Sequence, residues 1–403
     1  MKPEILAPAG DLEKLKVAVL YGADAVYLGG RHFGLRAGAG NFTGAEMAEG
    51  VRFAHEKNVR VYVTLNIFAH NRDLDLLPEY LASVGSAGVD GVIVSDPGVF
   101  DLVREYTPEL PVHLSTQANT TNWAAARFWE ERGMSRLVLA RELSLGEIRE
   151  IRGRVGVELE VFVHGAMCIS YSGRCLLSNY LTGRDANRGD CAQSCRWRYA
   201  LVEEKRPGQF LPIEEDDRMA YILGSRDLCL IEYLPQLIEA GINSFKIEGR
   251  MKSVHYVAAV VKAYREALDA YLREPQGYRF NPAWLEEIGK VSHRHYTTGF
   301  LLGNPGVDGQ LYDGEIYRRS HAFVGLVREY DQAAGMALVE QRNRFAVGDE
   351  VEILVPRGSN VKLRITEIYD DGGNSVPAAP HPQQMVRVPV DTPLPPYSMW
   401  RRV

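Results

Sequence analysis

The sequence predicts an α/β protein: a (β/α)8 TIM-like barrel with a cysteine-containing insertion, followed by a small all-β barrel module. Three observations predict it. Short apolar runs alternate with longer amphipathic ones over the first two thirds of the chain. The amphipathic runs repeatedly end in a glycine just ahead of the next apolar run. Beyond His321 the pattern changes to short alternating strands separated by turns. Repeated βα units build a parallel sheet, and eight candidate strands close it into a barrel, with a doubly wound open sheet as the alternative.

The candidate strands are Ile5–Ala7, Ala25–Leu28, Arg60–Leu65, Gly91–Ser95, Val112–Ser115, Arg136–Leu139, Glu158–Val163 and Ser244–Ile247. Most are rich in Val, Ile, Leu and Tyr, as strands buried on both faces should be. Helical patterns lie between them. In Asp11–Tyr21, Asp11 can cap while Leu12, Leu15 and Val19 share a face. The others are Gly44–Lys57, Leu74–Ala87, Thr121–Arg132 and Ser144–Arg152, with the long Ser253–Leu272 after the last strand. Gly22, Gly88, Gly133 and Gly241 read as C-cap glycines.

The rhythm breaks after Val163. Residues 164–220 hold the cysteines, many arginines and the acidic run Glu214–Asp217, before regular structure resumes at Tyr221–Leu223. This is an insertion on the end of a strand, where barrels carry their chemistry. The expected division is a barrel over 1–272, a connector over 273–317 and a β module over 318–403. The module's strands read as Ala322–Glu329, Met336–Gln341, Asp349–Val355, Val361–Tyr369, Met385–Val390 and Ser398–Val403.

With 403 residues, 46% of them hydrophobic and 24% charged, the composition is that of a globular protein. A formal net charge of −6 excludes a polycation, so any RNA contact must come from a local basic patch. The module, with 11 Lys/Arg against 10 Asp/Glu, is close to neutral. The opening Met1–Pro8 lacks the apolar stretch of a signal peptide, and no run approaches the ~18 apolar residues of a membrane span. A soluble, cytoplasmic protein without a membrane partner is expected. There thiols stay reduced, so clustered cysteines point to metal or redox chemistry.

Cys168, Cys175, Cys191 and Cys195 follow the spacing C-x6-C-x15-C-x3-C. Four thiolates in one loop region can close an S4 site. Zinc knuckles favour two tight pairs, and only the second pair here is tight, so the spacing favours an iron–sulfur cluster and leaves zinc as the alternative. These cysteines lie among Ser, Gly, Arg, Asn and Asp, unlike core cysteines, whereas Cys229 in Asp227-Leu228-Cys229-Leu230 reads as a packing residue. Arg174, Arg184, Arg188, Arg196 and Arg198 surround the four; they would offset the charge of a cluster, or hold phosphate or carboxylate.

Other candidates stand at the C-terminal ends of strands. His164 ends one and would face the mouth as an acid/base; Lys246, Glu248 and Arg250 end another; Gln117 and Asn119 follow Ser115, and Asn66 is a weaker case. No His-Glu-x-x-His, Gly-x-Ser-x-Gly or P-loop motif is present, and Gly38-Ala39-Gly40 lies in a loop without Rossmann context.

The string Phe162-Val-His164-Gly-Ala-Met-Cys168-Ile-Ser-Tyr171-Ser-Gly-Arg174-Cys175 resembles the signature of the collagenase-like U-32 peptidase family, as do Glu4–Gly10 and Lys246–Lys252. The resemblance runs over essentially the whole chain. Besides a protease assignment, it implies oxygen-independent hydroxylation with a [4Fe-4S] cluster on Cys168, Cys175, Cys191 and Cys195. Members act on the wobble uridine of tRNA, with prephenate as the implied hydroxyl source, on a cytidine of large-subunit rRNA, or on ubiquinone precursors. Length and the single C-terminal module resemble the tRNA branch. On this reading His164, Glu248 and Arg250 are catalytic. Tyr171, Arg174, Arg188, Arg196, Lys246, Gln117 and Asn119 bind substrate. The partners are tRNA, with its uridine splayed out, and prephenate or a similar carboxylate; the β module grips the tRNA. A peptidase with a structural metal, and a subunit acting with a paralogous protein, are the alternatives.

Overall fold

The computed structural model describes residues 2–402 except 32, 36–38, 169, 172–173, 198–200, 203–209, 212–214, 217–218, 221–223, 306–309 and 312–319; of 196, 201–202, 210–211, 215–216, 219–220, 224–225 and 310–311 it describes the backbone alone. Arg198, Glu214, Asp217 and all of Tyr221–Leu223 therefore lie outside the described residues.

Eight strands run parallel: Glu4–Pro8, Ala25–Leu28, Arg60–Leu65, Gly91–Val94, Val112–Leu114, Arg136–Val138, Glu158–Ala166 and Ser244–Ile247. Each pairs with the next, and the eighth closes on the first, with Ser244 opposite Glu4. The barrel is closed, as expected, and its helices wrap it because each has one apolar face and a defined start. Asp11 caps Leu12–Tyr21 by accepting from the Lys14 N–H at 2.8 Å. Thr43 and Ser144 form capping boxes with Glu46 and Glu147.

Three departures from the sequence reading have physical causes. The helix Pro97–Tyr106 was not foreseen, although Asp96 caps it, Pro97 opens it, and Val99, Phe100 and Val103 are buried at helical spacing. The expected helix Leu74–Ala87 is two, Asn71–Leu74 and Leu77–Ser86, the second begun by Pro78. The seventh strand runs three residues beyond Val163, to Ala166. Its outer end pairs antiparallel with Asp227–Cys229, and that strand carries Tyr296–Thr297. The connector thus helps to build the rim.

The barrel interior is charged. Arg136, 2% exposed, places Nη1 2.6 Å from Glu4 and 3.1 Å from Glu160, while Nη2 lies 2.7 Å from Glu158. Glu160 also accepts from Lys246 Nζ at 2.8 Å, and Glu4 from Ser244 and Tyr62. Buried charges persist only when paired in this way.

The C-terminal module is a six-stranded antiparallel sheet ordered Val361–Arg364, Glu350–Leu354, Met399–Arg402, Ala322–Asp331, Met336–Gln341 and Met385–Pro389. It rolls into a half-barrel, the small all-β module expected, over a core including Val324, Val339, Ile353 and Trp400. The Tyr21 hydroxyl donates to the carbonyls of Leu354 and Tyr397, and Lys262 to those of Val355 and Gly358. Buried Arg401 pairs with Glu287 and Glu352. Leu326, Leu354 and Met399 join the apolar cluster of the barrel helices, so the module packs directly against the barrel.

Candidate active site at the barrel mouth

A pocket with about 50 Å³ of cavity volume opens at the C-terminal ends of the strands. That end is where barrels with this topology gather residues from several strands. Gln117, Lys246, Glu248, Arg250 and Asn66, five of the residues picked out in the sequence, line it together with Ser115 and Thr64.

One wall is an amide–hydroxyl network. Ser115 Oγ donates to Gln117 Oε1 at 2.7 Å, and Asn66 Nδ2 donates to both Ser115 Oγ and Gln117 Oε1 at 3.2 Å. With its oxygen engaged twice, Gln117 presents its amide N–H groups to a ligand. The floor is Lys246, whose Nζ lies over the Tyr27 ring at 4.6 Å as well as against Glu160. Burial lowers the Lys246 pKa, and the Glu160 charge opposes that shift. Burial works the other way on Glu160, but Lys246 and Arg136 outweigh it and hold the carboxyl down at about 2.

Arg250 is locked rather than mobile. It donates to the Leu35 carbonyl at 2.8 Å, to Thr64 Oγ1 at 3.2 Å and to Asn41 Oδ1 at 2.5 Å. Its guanidinium fills the space beside Gly29, where any Cβ would come within 2.2 Å of Nη2. Glu248 is set by its backbone: its N–H donates to the His164 carbonyl at 2.8 Å, and its carbonyl accepts from Tyr256. Gly165, at φ +106°, lets the seventh strand approach; a Cβ there would meet the Glu248 carbonyl at 2.5 Å.

Arg141 is a pocket residue that the sequence reading missed. Its Nη1 donates to the Ala166 carbonyl at 2.7 Å, and the guanidinium stacks 4.0 Å from the Phe162 ring centre. Its Nε is buried and has no hydrogen-bond partner among the described residues. Its place, just past the sixth strand, is the signal that could have found it.

His164 stands elsewhere, contrary to the expectation that it faces the mouth. The pairing of the seventh and eighth strands slips between Phe162, opposite Lys246, and His164, opposite Ile247. A slip of one residue turns a side chain to the other face. His164 is buried against Tyr256, Tyr264 and Tyr296, with Nδ1 3.4 Å from the Tyr264 hydroxyl. Burial pushes its pKa down to about 3. Cys229, read as a packing residue, is buried beside it, and burial raises its thiol pKa to about 11. Asn119 caps the turn Thr116–Ala118 at φ +53° and does not line the pocket.

The cysteine insertion is fastened across this mouth. Arg188 donates to both Asp73 oxygens, at 2.8 and 2.9 Å, and to the Phe68 carbonyl at 2.8 Å. Arg174 reaches the Gln117 carbonyl at 3.0 and 2.8 Å. Asn187 bonds both the N–H and the C=O of Cys175. Arg184 pairs with Asp190. Of the cations expected to hold an anion, Arg174 and Arg188 thus serve to dock the insertion; Arg196 lies in the turn Ser194–Arg196, and its side chain is outside the described residues. Tyr171 stands exposed.

None of the four insertion cysteines is in a disulfide; Cys168 is exposed and the other three are half-buried. As four thiols outside any disulfide on one insertion they suit an S4 site. They are not gathered here: among the described residues, no three His, Cys, Asp or Glu side chains stand close enough to share a metal ion.

Fold and mouth together define a (β/α)8 barrel protein with a polar, cation-floored pocket beneath a thiol-bearing insertion. The chain belongs to Peptidase family U32. Residues 10–311 match that family and residues 319–401 match its C-terminal domain. It is 49% identical over 401 residues, covering 100% of this chain and 95% of the relative, to the tRNA hydroxylation protein P1 of Bacillus subtilis. It is 36% identical to the 23S rRNA 5-hydroxycytidine C2501 synthase of Escherichia coli, covering 92% of this chain and 55% of that one. A collagenase of Porphyromonas gingivalis is 33% identical over 91% of this chain and 89% of its own. Among the described residues no helix is long and apolar enough to cross a membrane.

Proposed function

We propose that this protein is an RNA-modifying enzyme that hydroxylates the wobble uridine of tRNA to 5-hydroxyuridine in the barrel-mouth pocket. The observation that carries the reading is the full-length match to a protein named for tRNA hydroxylation. The pocket supports it chemically. Gln117 offers amide donors and Glu248 a carboxylate acceptor, which complement the alternating acceptor, N–H and acceptor edge of uracil. Arg141 and Lys246 supply cations for a small carboxylate donor such as prephenate. In the overall change, the C5–H of the base and a C–OH of the donor become C5–OH and C–H. The base thereby loses two electrons and the donor gains them.

Cys168, Cys175, Cys191 and Cys195 would hold a [4Fe-4S] cluster, with zinc as the alternative occupant of the same thiols. A bound cluster would supply electron transfer or a Lewis-acidic iron beside the mouth. Fastening the insertion across the mouth is the work of Arg188 and Arg174, while Asn187 holds Cys175 within it.

The collagenase-named relative favours peptide hydrolysis as the second reading. The pocket lining offers Thr64, Ser115 and Thr116 but no histidine; Thr64 and Thr116 donate to the Leu28 and Leu139 carbonyls and Ser115 to Gln117, so none is activated by a base among the described residues. Anaerobically purified protein incubated with an anticodon stem-loop RNA and prephenate tests the proposal. Mass spectrometry of the nucleosides should show 5-hydroxyuridine; unchanged RNA alongside cleavage of a gelatin substrate would replace this reading with the second.

A further inference from the structure

We propose that the cysteine insertion is itself a single-stranded RNA reader, a stacking platform for the bases next to the one that enters the mouth. The inference rests on the tRNA reading above and places the grip on the insertion.

Tyr171, Leu176, Tyr180, Leu181 and Trp197 are 56, 74, 85, 40 and 42% exposed. Five of the eleven large apolar side chains that stand exposed among the described residues thus fall in this one segment. Isolated exposed apolar residues are ordinary, but a concentration of them marks a contact surface. Leu176 and Tyr180 are four residues apart on one turn, the Tyr180 N–H donating to the Leu176 carbonyl at 2.8 Å, so they share a face of the short helix Leu177–Thr182. Ser178 of that helix accepts from the Ala192 N–H, tying it to the segment that leads to Trp197.

The charge on this segment selects the occupant. From Cys168 to Arg198 there are five arginines against two acids, Asp185 and Asp190, in a chain of net charge −6. Aromatic rings interleaved with guanidinium groups bind unpaired bases and their phosphates, whereas a protein-docking patch needs no such cationic excess. Position agrees: Arg174 bonds the carbonyl of Gln117, whose side chain lines the pocket, so a strand delivering a base to the mouth passes the insertion. The β module is less suited. Its charge is nearly balanced, with 11 Lys/Arg against 10 Asp/Glu, whereas the insertion carries an excess of cations.

The test measures binding by the full-length protein of a fluorescein-labelled anticodon stem-loop and of a blunt duplex of equal length. Tyr180→Ala should weaken loop binding about tenfold or more, Tyr180→Phe should bind within about twofold of the native protein, and duplex binding should stay unchanged. Native-like loop binding by both Tyr180→Ala and Trp197→Ala overturns the platform. So does sedimentation showing a native dimer that Tyr180→Ala returns to monomer without any change in RNA binding, because the patch is then a self-interface. Failure of the underlying reading looks different: the native protein binds the loop no better than the duplex and forms no hydroxyuridine.

Discussion

Arg188 grips Asp73 with both arms of its guanidinium, across 115 residues of sequence, and this pair joins the cysteine insertion to the loop that carries Asn66 into the pocket. The Arg188 hydrogen bonds hold the Asp73 carboxyl down at about 2. Bidentate geometry is specific to arginine. Asp73→Asn should therefore free the insertion, costing about 1.5–3 kcal/mol locally. Limited proteolysis should cut within 164–225 several times faster, with the global unfolding midpoint nearly unchanged. Arg188→Lys should recover only part of the protection.

Arg136 bridges two buried carboxylates, Glu4 and Glu160, so its removal leaves Glu4 only the half-exposed Arg60 and Glu160 only Lys246 as cationic partners. Arg136→Met should destabilise the barrel by about 3–5 kcal/mol, measured by chemical denaturation. Adding Glu160→Gln to that variant should restore part of the loss.

Stability should fall on acidification well before the carboxylates titrate. His113 and His164 are buried, and burial lowers both to about 3. Unfolded histidine titrates near about 6.5. Below that pH the unfolded chain binds protons that the folded chain refuses until about 3, so each histidine contributes stability that is present above 6.5 and lost as pH falls through this window. The slope is at most about 1.4 kcal/mol per pH unit per histidine. Urea midpoints should decline between about pH 6.5 and 5, and His164→Gln should flatten the decline by about half. A midpoint that rises over this range contradicts the assignment.

Turned from the mouth, His164 takes no part in proton transfer there. His164→Gln should lower stability while leaving kcat within about threefold and the pH profile of kcat unshifted, whereas Arg141→Gln should raise KM for the carboxylate donor about tenfold. Steady-state kinetics on the two variants distinguishes these roles.

What was legible in the sequence follows period and punctuation. All eight barrel strands were legible from their apolar runs, and C-cap glycines such as Gly22, at φ 112°, marked where helices stop. Lys246, Glu248, Arg250 and Gln117 were found because strand ends point to the mouth. His164 was misplaced because a bulge has no signature in a single sequence, and one slipped residue reverses a face. Arg136 and Glu160 read as ordinary strand residues, since a buried ion network depends on which strands become neighbours across the barrel. The docking roles of Arg174 and Arg188 were equally hidden, their partners lying 57 and 115 residues away.

The most direct measurement is nucleoside mass spectrometry of tRNA from a strain lacking this gene, complemented with the wild-type or the Cys191→Ala copy. The account predicts loss of 5-hydroxyuridine and its derivatives, restored by the wild-type gene and not by Cys191→Ala. A full complement of these nucleosides in the deletion strain, or rescue by Cys191→Ala as complete as by the wild type, would contradict it.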